Sequence, residues 1–338
     1  MTKVLLSALC ALTLIGCNAA PSAEDKKVER MALEKTQDIR IIKSVDDNSK
    51  CRRTEIEKAF EDNGFLIDGN NDMNKPFSKR FVKVEGTTGG TWYKKYRLMT
   101  VHNPDIVAKL AKDYPSIGLI TPLSMSVYTG KVGETEADSM SMSSLTLRGM
   151  SRITQIPMDN PALIEYANAM EKALTMAFPQ GEFEAVKYAK VADMKQALET
   201  TFSMEVELEA GDEIRDVMDD FQDEFTGELE PVGFLFPGFI GVNDELLERG
   251  VDAYTVYDTY SICKLEVIHP VSRTHPEVGA FAPCSFYMYQ KKGESTVHMG
   301  YPSVDNWITS TDLEDEYSLK PLVDAQNLLA KTIRDIVE

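Results

Sequence analysis

The chain carries five cysteines and four histidines, and these residue types offer the most specific chemistry. Cys263 and Cys284 fall in two runs read as strands, with 20 residues between them. A disulfide joining them would close a loop worth roughly 3 kcal/mol in the chain-entropy account. The alternative is two buried free thiols acting as small hydrophobes. Cys51 stands beside Arg52 and Arg53, whose charge would favour a thiolate; an idle surface cysteine fits the same pattern. His269 directly precedes a proline and His102 precedes one by two residues, and both are expected at equivalent strand ends. An imidazole there could bind a ligand or a metal, or bond a backbone carbonyl where the strand turns, which is the expected role. His269, His275, Cys263 and Cys284 could be imagined as a zinc set, but no close Cys-x-x-Cys or His-x-x-x-His pair is present.

Other residues invite chemistry less specifically. Met125, Met140, Met142 and Met150 could supply soft thioethers to copper(I). Ser139-Met140-Ser141-Met142-Ser143 also alternates as a half-buried strand does, so core packing is expected. The acidic run Asp212–Glu230 lacks an Asp-x-Asp-x-Asp-Gly calcium loop and reads as a solvated helix face. No Ser-His-Asp order, phosphate-cradling glycine loop or helical metal pair occurs. Gly233–Gly241 holds Phe234, Phe236 and Phe239 in a stretch punctuated by glycine and proline. Buried, it would seal a junction within the protein; exposed, it would be a contact surface. Burial is expected.

Cys17 has a different role. Lys3, an apolar run from Val4 to Ile15 and Gly16 make a signal peptide over residues 1–16, too short to span a bilayer as a helix. Leu14-Ile15-Gly16-Cys17 resembles a bacterial lipobox, in which the cysteine is cleaved free and takes up acyl chains, palmitate among them. Several chains make such an anchor durable. Asn18, where Asp is absent, points to the outer membrane facing the periplasm. Residues 17–37 then form the lipidated cysteine and its tether. With an odd number of mature cysteines in an oxidising compartment, one pair and one leftover, or none paired, are the options.

The formal charge is −18, which repels phosphate backbones and argues against nucleic acid as a partner. No cofactor is called for by any motif. Apolar residues make up 43% of the chain, enough for real cores.

Those cores are written twice. Tyr114-Pro115-Ser116-Ile117-Gly118-Leu119-Ile120-Thr121-Pro122-Leu123-Ser124 returns as His275-Pro276-Glu277-Val278-Gly279-Ala280-Phe281-Ala282-Pro283-Cys284-Ser285, at a spacing of 161 residues. Gly64-Phe65-Leu66 returns as Gly233-Phe234-Leu235, and His102 as His269. Ordered landmarks with wandering spacing indicate duplication. The first unit is placed at residues 38–180 and the second at 181–338. Each reads as α+β, an antiparallel sheet with helices on one face in two layers. Strands are expected at Ile39–Val45, Lys79–Glu85, Tyr96–Val101 and Leu123–Tyr128, and again at Phe202–Leu208, Ala253–Tyr257, Cys263–Ile268 and Cys284–Tyr289. One helix starts near Thr54, with Glu57 completing a capping box, and its counterpart at Asp212. The first unit's closing helix starts at Asn160-Pro161.

The early helix ending in Gly-Phe, the strand entering His-Asn-Pro or His-Pro, and the Gly-x-x-x-Pro-(Leu or Cys) step into a strand ending in Tyr resemble the domain-of-unknown-function family numbered 302. The resemblance covers about residues 38–178 and 200–338. It implies a compact two-layer α+β domain and no established activity. Leu123 stands in the first copy where Cys is common, so chemistry depending on that cysteine would be confined to the second.

Together these features describe a lipid-anchored envelope protein, more a binder than an enzyme. Its ligand or protein partner would sit in a cleft between the units, near His102, His269, Phe234, Phe236 and Phe239. The alternative is a thiol-redox or metal-dependent activity in the second unit, using Cys263, Cys284 and His269.

Overall fold

The computed structural model describes residues 36–44, 53–132, 139–184, 186, 199–208 and 213–338. The export segment, Cys17, the tether as far as residue 35, Cys51 and Asp212 lie outside the described residues. No helix among the described residues is long and apolar enough to cross a membrane.

The first unit runs β1 (Ile39–Ser44), α1 (Arg53–Glu61), β2 (Leu66–Asp72), α2 (Asn74–Arg80), β3 (Tyr96–His102), α3 (Pro104–Ala111), a 3-10 turn at Pro115–Ile120, β4 (Leu123–Thr129), β5 (Met140–Leu145), α4 (Leu147–Thr154), α5 (Pro161–Ala177) and β6 (Glu182–Glu184). The second runs β7 (Glu199–Glu205), α6 (Ile214–Leu229), β8 (Phe234–Ile240), α7 (Val242–Glu248), β9 (Tyr254–Lys264), α8 (Leu265–Ser272), a 3-10 turn at Pro276–Ala280, β10 (Cys284–Lys291), β11 (Thr296–Pro302), α9 (Asp305–Thr311) and α10 (Glu316–Val337). The sheets are ordered β2-β3-β4-β5-β1-β6 and β7-β11-β10-β9-β8, with neighbouring strands antiparallel. The chain is α+β, twice.

The closing helices follow from local chemistry. Asn160 accepts from the amides of Ala162 and Leu163, and Pro161 needs no partner at the first helical position. Leu163, Ala167, Met170 and Leu174 then face inward, all buried. Asp315 caps α10 by accepting from Ser318 N, and Leu322, Leu329 and Ile333 are buried along it. The expected capping box at Thr54 does not form: Thr54 lies inside α1, and the Glu57 carboxylate instead accepts from Arg53 Nε at 2.7 Å and Asn70 Nδ2 at 3.0 Å.

Two expected strands are not strands. Lys79–Glu85 is the end of α2 and the turns after it; Phe77, on the inner side of α2, is the buried residue that holds this short helix. Tyr254–Tyr257 and Cys263 belong to one long strand, β9, which starts one residue after Ala253 and stops at Lys264, and Leu265–Ile268 opens α8.

The methionines expected in the core are there. Met125, Met140, Met142 and Met150 are all buried, filling space between sheet and helices. Yet β4 and β5 are buried on both faces, serines included. The face that a two-layer domain would leave to water is covered by the other unit.

That covering is reciprocal. Tyr96 donates to the Pro276 carbonyl at 3.1 Å, and Tyr257 to that of Pro115. Tyr93 donates to Ser272 O, and Tyr254 to Ala111 O. Ser124 donates to Pro283 O, and Ser285 to Pro122 O. Arg80 pairs with Glu266, and Arg249 with Asp105. Each contact has its twin with the units exchanged, so the duplicated domains face each other about a pseudo-twofold axis. Gly118 and Gly279 sit where the approach is closest. A Cβ on Gly279 would lie 2.3 Å from Ser126 Cβ, and one on Gly118 would lie 2.7 Å from the Tyr257 hydroxyl. One apolar core runs through both units, joining Met125 and Ile120 to Val278, Phe281 and Tyr287. A second core lies within the second unit, between its sheet and helices α6 and α10.

Candidate functional site

The pseudo-axis creates two seams, and each is fastened by one of the two histidines singled out in the sequence. They are not equivalent residues. His102 ends β3 opposite Leu66, whereas Leu235, the twin of Leu66, pairs with Cys263. Cys263 therefore holds the place of His102, and His269 lies in α8, beyond the strand. The shared proline after each histidine had suggested the false equivalence.

His269 is fully buried against the first unit. Its ring stacks on Phe81 at 3.9 Å, meets Phe77 edge-on at 4.9 Å and lies 5.0 Å from Trp92. Nε2 donates to Gly90 O at 3.0 Å, and Trp92 Nε1 donates to the His269 carbonyl at 2.8 Å. Gly90 has a φ of +89°, and a Cβ there would meet Phe77 O at 2.6 Å; only glycine lets that carbonyl reach the ring. Burial pushes the His269 pKa down, with the Gly90 carbonyl partly opposing it. This imidazole is neutral, and the carbonyl bond expected for it is present.

His102 answers the same expectation differently. It is 2% exposed, and both ring nitrogens face carboxylates. Nδ1 lies 2.9 Å from Asp68 and Nε2 lies 3.0 Å from Glu245 of the second unit. Burial alone would lower its pKa, but the hydrogen bonds and charges of the two carboxylates outweigh that and raise it to about 9. His102 is an imidazolium at neutral pH. Asp68, in turn, is pushed up by burial, against the opposing pull of His102. Asp68 reaches the ring because it is the extra residue of a β-bulge: β2 pairs normally at Ile67 and again at Gly69. A bulge re-aims one side chain out of the strand's alternation.

Asp68 also lines a cleft of about 690 Å³ between the edge strands β2 and β8. Its first wall is polar, with Arg53, Asn70, Asp72, Lys75 and Arg97. Arg97 is held there by Asn70, donating to its side chain at 2.8 Å and to its carbonyl at 3.1 Å. Burial, reinforced by the like charge of Arg53, lowers the pKa of Arg97. The opposite wall is Leu235, Pro237, Leu265 and Pro283. Sequence reasoning missed Asp68, Arg97 and Glu245. The Asp68-Gly69 pair inside a strand was a legible bulge signal; Glu245, 143 residues from His102, had none.

The phenylalanines expected at the cleft are not its lining. Phe234 is buried in the second unit's core, Phe236 packs on Phe225 at 5.4 Å, and Phe239 is 52% exposed over Tyr260. Strand alternation explains it: with Phe234 turned inward, Leu235 turns to the cleft. A register shift follows in β8 between Leu235 and Gly238, and Pro237 is accommodated there at an edge. The segment is half core and half surface, where burial throughout was expected. The histidines do not line the cleft either; His102 touches its wall through Asp68.

Cys263 and Cys284 are free thiols, not the expected disulfide. Cys284 pairs with Ile262, and successive strand residues point to opposite faces, so Cys263 is not its cross-strand partner. Both thiols border an apolar cavity of about 60 Å³, with Trp307 and Phe234. Burial pushes each up to about 12. His275 turns to Glu277 at 3.2 Å, so the imagined zinc set never converges. Among the described residues, no group of three or more His, Cys, Asp or Glu is placed to hold a metal.

A tandem α+β protein, with one ionised and one neutral histidine fastening its two seams, is the class these observations define. Residues 51–177 and again 213–337 match the family described as "Domain of unknown function DUF302", and the chain belongs to that family. It is also similar, at 20% identity, to a solved protein described as "uncharacterized conserved protein DUF302 from Bacillus stearothermophilus". That likeness covers 42% of this chain and all of the other, with a TM-score of 0.34. No curated protein matches the chain.

Proposed function

We propose that the chain is a lipid-anchored envelope protein, held through Cys17, that binds an amphipathic small molecule in the cleft between β2 and β8. The observation that carries this reading is the contrast between the cleft walls. Arg97, Arg53 and Lys75 outnumber Asp68 and Asp72 on one side, and Leu235, Pro237 and Leu265 line the other. An anionic head would meet the first wall, and an alkyl or ring portion the second. The volume falls in the range of small-molecule sites, about 300–1,000 Å³. The apolar cavity beside Trp307 has room for little more than a water or two.

Fluorescence titration with anilinonaphthalene sulfonate, displaced by dodecanoate, tests the cleft. Saturable binding by the native chain, weakened tenfold or more by Leu235→Asp and by Arg97→Met, is the expected result. Binding that both variants leave unchanged would remove the cleft from consideration. The anchor is tested separately, by mass spectrometry of the membrane fraction: a terminus at Cys17 carrying acyl mass supports it, and an intact Met1 does not.

The thiol-redox reading draws less support. A thiol raised to about 12 is almost wholly protonated near neutrality, and the thiolate is the reactive form. Cys284→Ser should leave ligand binding intact and lower stability slightly.

A further inference from the structure

The two seams are built alike except in charge. Each has a short helix of one unit lying on a helix of the other, an Arg-carboxylate pair at its edge and a buried histidine at its centre. In the α2–α8 seam the histidine is neutral and boxed by aromatic rings. In the α3–α7 seam it is an imidazolium between two carboxylates, one from each unit. We propose that the Asp68–His102–Glu245 bridge is a proton-controlled latch: protonated His102 clips Glu245 of the second unit to the cleft wall at Asp68, and loss of the proton frees α7 and widens the cleft.

The mechanism follows from the donor count of the ring. An imidazolium donates from both nitrogens, whereas a neutral imidazole donates from one and presents a lone pair at the other. Deprotonation, with the proton leaving to solvent, therefore sets one carboxylate against a lone pair at about 3 Å. Glu245 is the partner that can leave. Its side chain is 23% exposed against 14% for Asp68, and it sits on a seven-residue helix, whereas Asp68 is fixed in the sheet. Among the described residues, few groups face His102 from the packed elements. They are Asp68 from β2, Glu245 from α7, and the Tyr166 hydroxyl of α5, which receives the neighbouring Asn103 amide at 3.4 Å. Arg249 and Asp105 flank Glu245 at the edge, 2.7 Å apart. Burial holds Tyr166 protonated throughout the alkaline range. Among the described residues no carboxylate bonds the His269 ring, which meets the Gly90 carbonyl, so that seam stays closed.

The consequence for ligand affinity rests on reading the cleft as a binding site; the opening itself does not. Hydrogen exchange of the full chain, corrected for intrinsic rates from pH 7 to 9.5, tests the opening at the amides of Val242–Glu248. Native protein should lose protection there tenfold or more, with a midpoint near 9, the value to which His102 is raised. His102→Gln, which cannot ionise, should show no step. Glu245→Gln should shift the midpoint down toward the ordinary 6.5, which keeps the test decisive if the first variant folds poorly. Flat protection in the native chain, or an unmoved step in Glu245→Gln, overturns the latch. Anilinonaphthalene sulfonate is titrated in parallel. Failure to bind at any pH, with the exchange step present, sinks the cleft reading and leaves the latch. Binding that Leu235→Asp abolishes, with flat exchange, does the reverse.

Discussion

Gly279→Ala probes the contact on which the joined architecture depends. The added Cβ would stand 2.3 Å from Ser126 Cβ, 2.7 Å from Ser126 N and 2.8 Å from its Cα. These are atoms of β4, a strand paired on both sides by β3 and β5, and Ser126 Oγ is committed to Pro276 O and Ser143 at 2.7 Å each. Nothing here can swing away as the tip of a long side chain would. Overpacking a tight interior costs about 1–3 kcal/mol, and a collision with backbone belongs at the top, about 3 kcal/mol. The chain has two tryptophans, Trp92 in the first unit and Trp307 in the second, so Trp→Phe backgrounds leave one reporter per unit. Urea unfolding with either reporter should show the same loss, because a single core crosses the boundary. Movement of the second unit's reporter alone, or a loss below about 0.5 kcal/mol, would refute the reasoning.

Other outcomes follow from the same geometry. Gly227→Ala, in α6 with nothing within 4 Å of the new Cβ, should stabilise by up to about 1 kcal/mol in the same urea assay. Arg215→Met leaves the fully buried Asp258 without its ion pair. Breaking a buried pair costs about 3–5 kcal/mol, and Arg215, itself 42% exposed, places this near the lower limit; protonating Asp258 should restore part of it. Native stability should fall with alkali: the His102 pKa is raised from 6.5 to about 9, so its contribution is complete below 6.5 and disappears as pH rises through 9. That linkage is worth at most about 3 kcal/mol, and a Glu245→Gln chain should lose much less over the same window. Cys263 and Cys284 should resist a thiol reagent at pH 8 until the protein is unfolded, then react together.

Much of the fold was legible because it was local or repeated. The spacing of 161 residues that aligned Gly118 with Gly279 also relates Tyr96 to Tyr257 and Ser124 to Ser285 in their contacts across the axis. Asn160-Pro161 opened a helix as capping chemistry requires. The methionines of β5 were core as expected, but the half-buried alternation was not, because the other unit covers the serine face as well. What misled was partly similarity itself: the proline after each histidine drew His102 and His269 together, while strand register matched His102 with Cys263. Lys79–Glu85 carries too few apolar residues to reveal a helix held by Phe77 alone. The ion bridge was invisible for a different reason. Its members come from a bulge, a strand end and a helix of the other copy, and no local pattern encodes which carboxylate a duplicated domain will bring across its axis.

The β2–β8 cleft is the proposed ligand site. A crystal of the chain grown with a terminally brominated dodecanoate, examined at the bromine edge, tests this directly. The expected anomalous peak lies against Leu235 and Pro237, with the carboxylate toward Arg97. A peak confined to the cavity beside Trp307, or a clear map of the cleft holding water alone at saturating ligand, would contradict it.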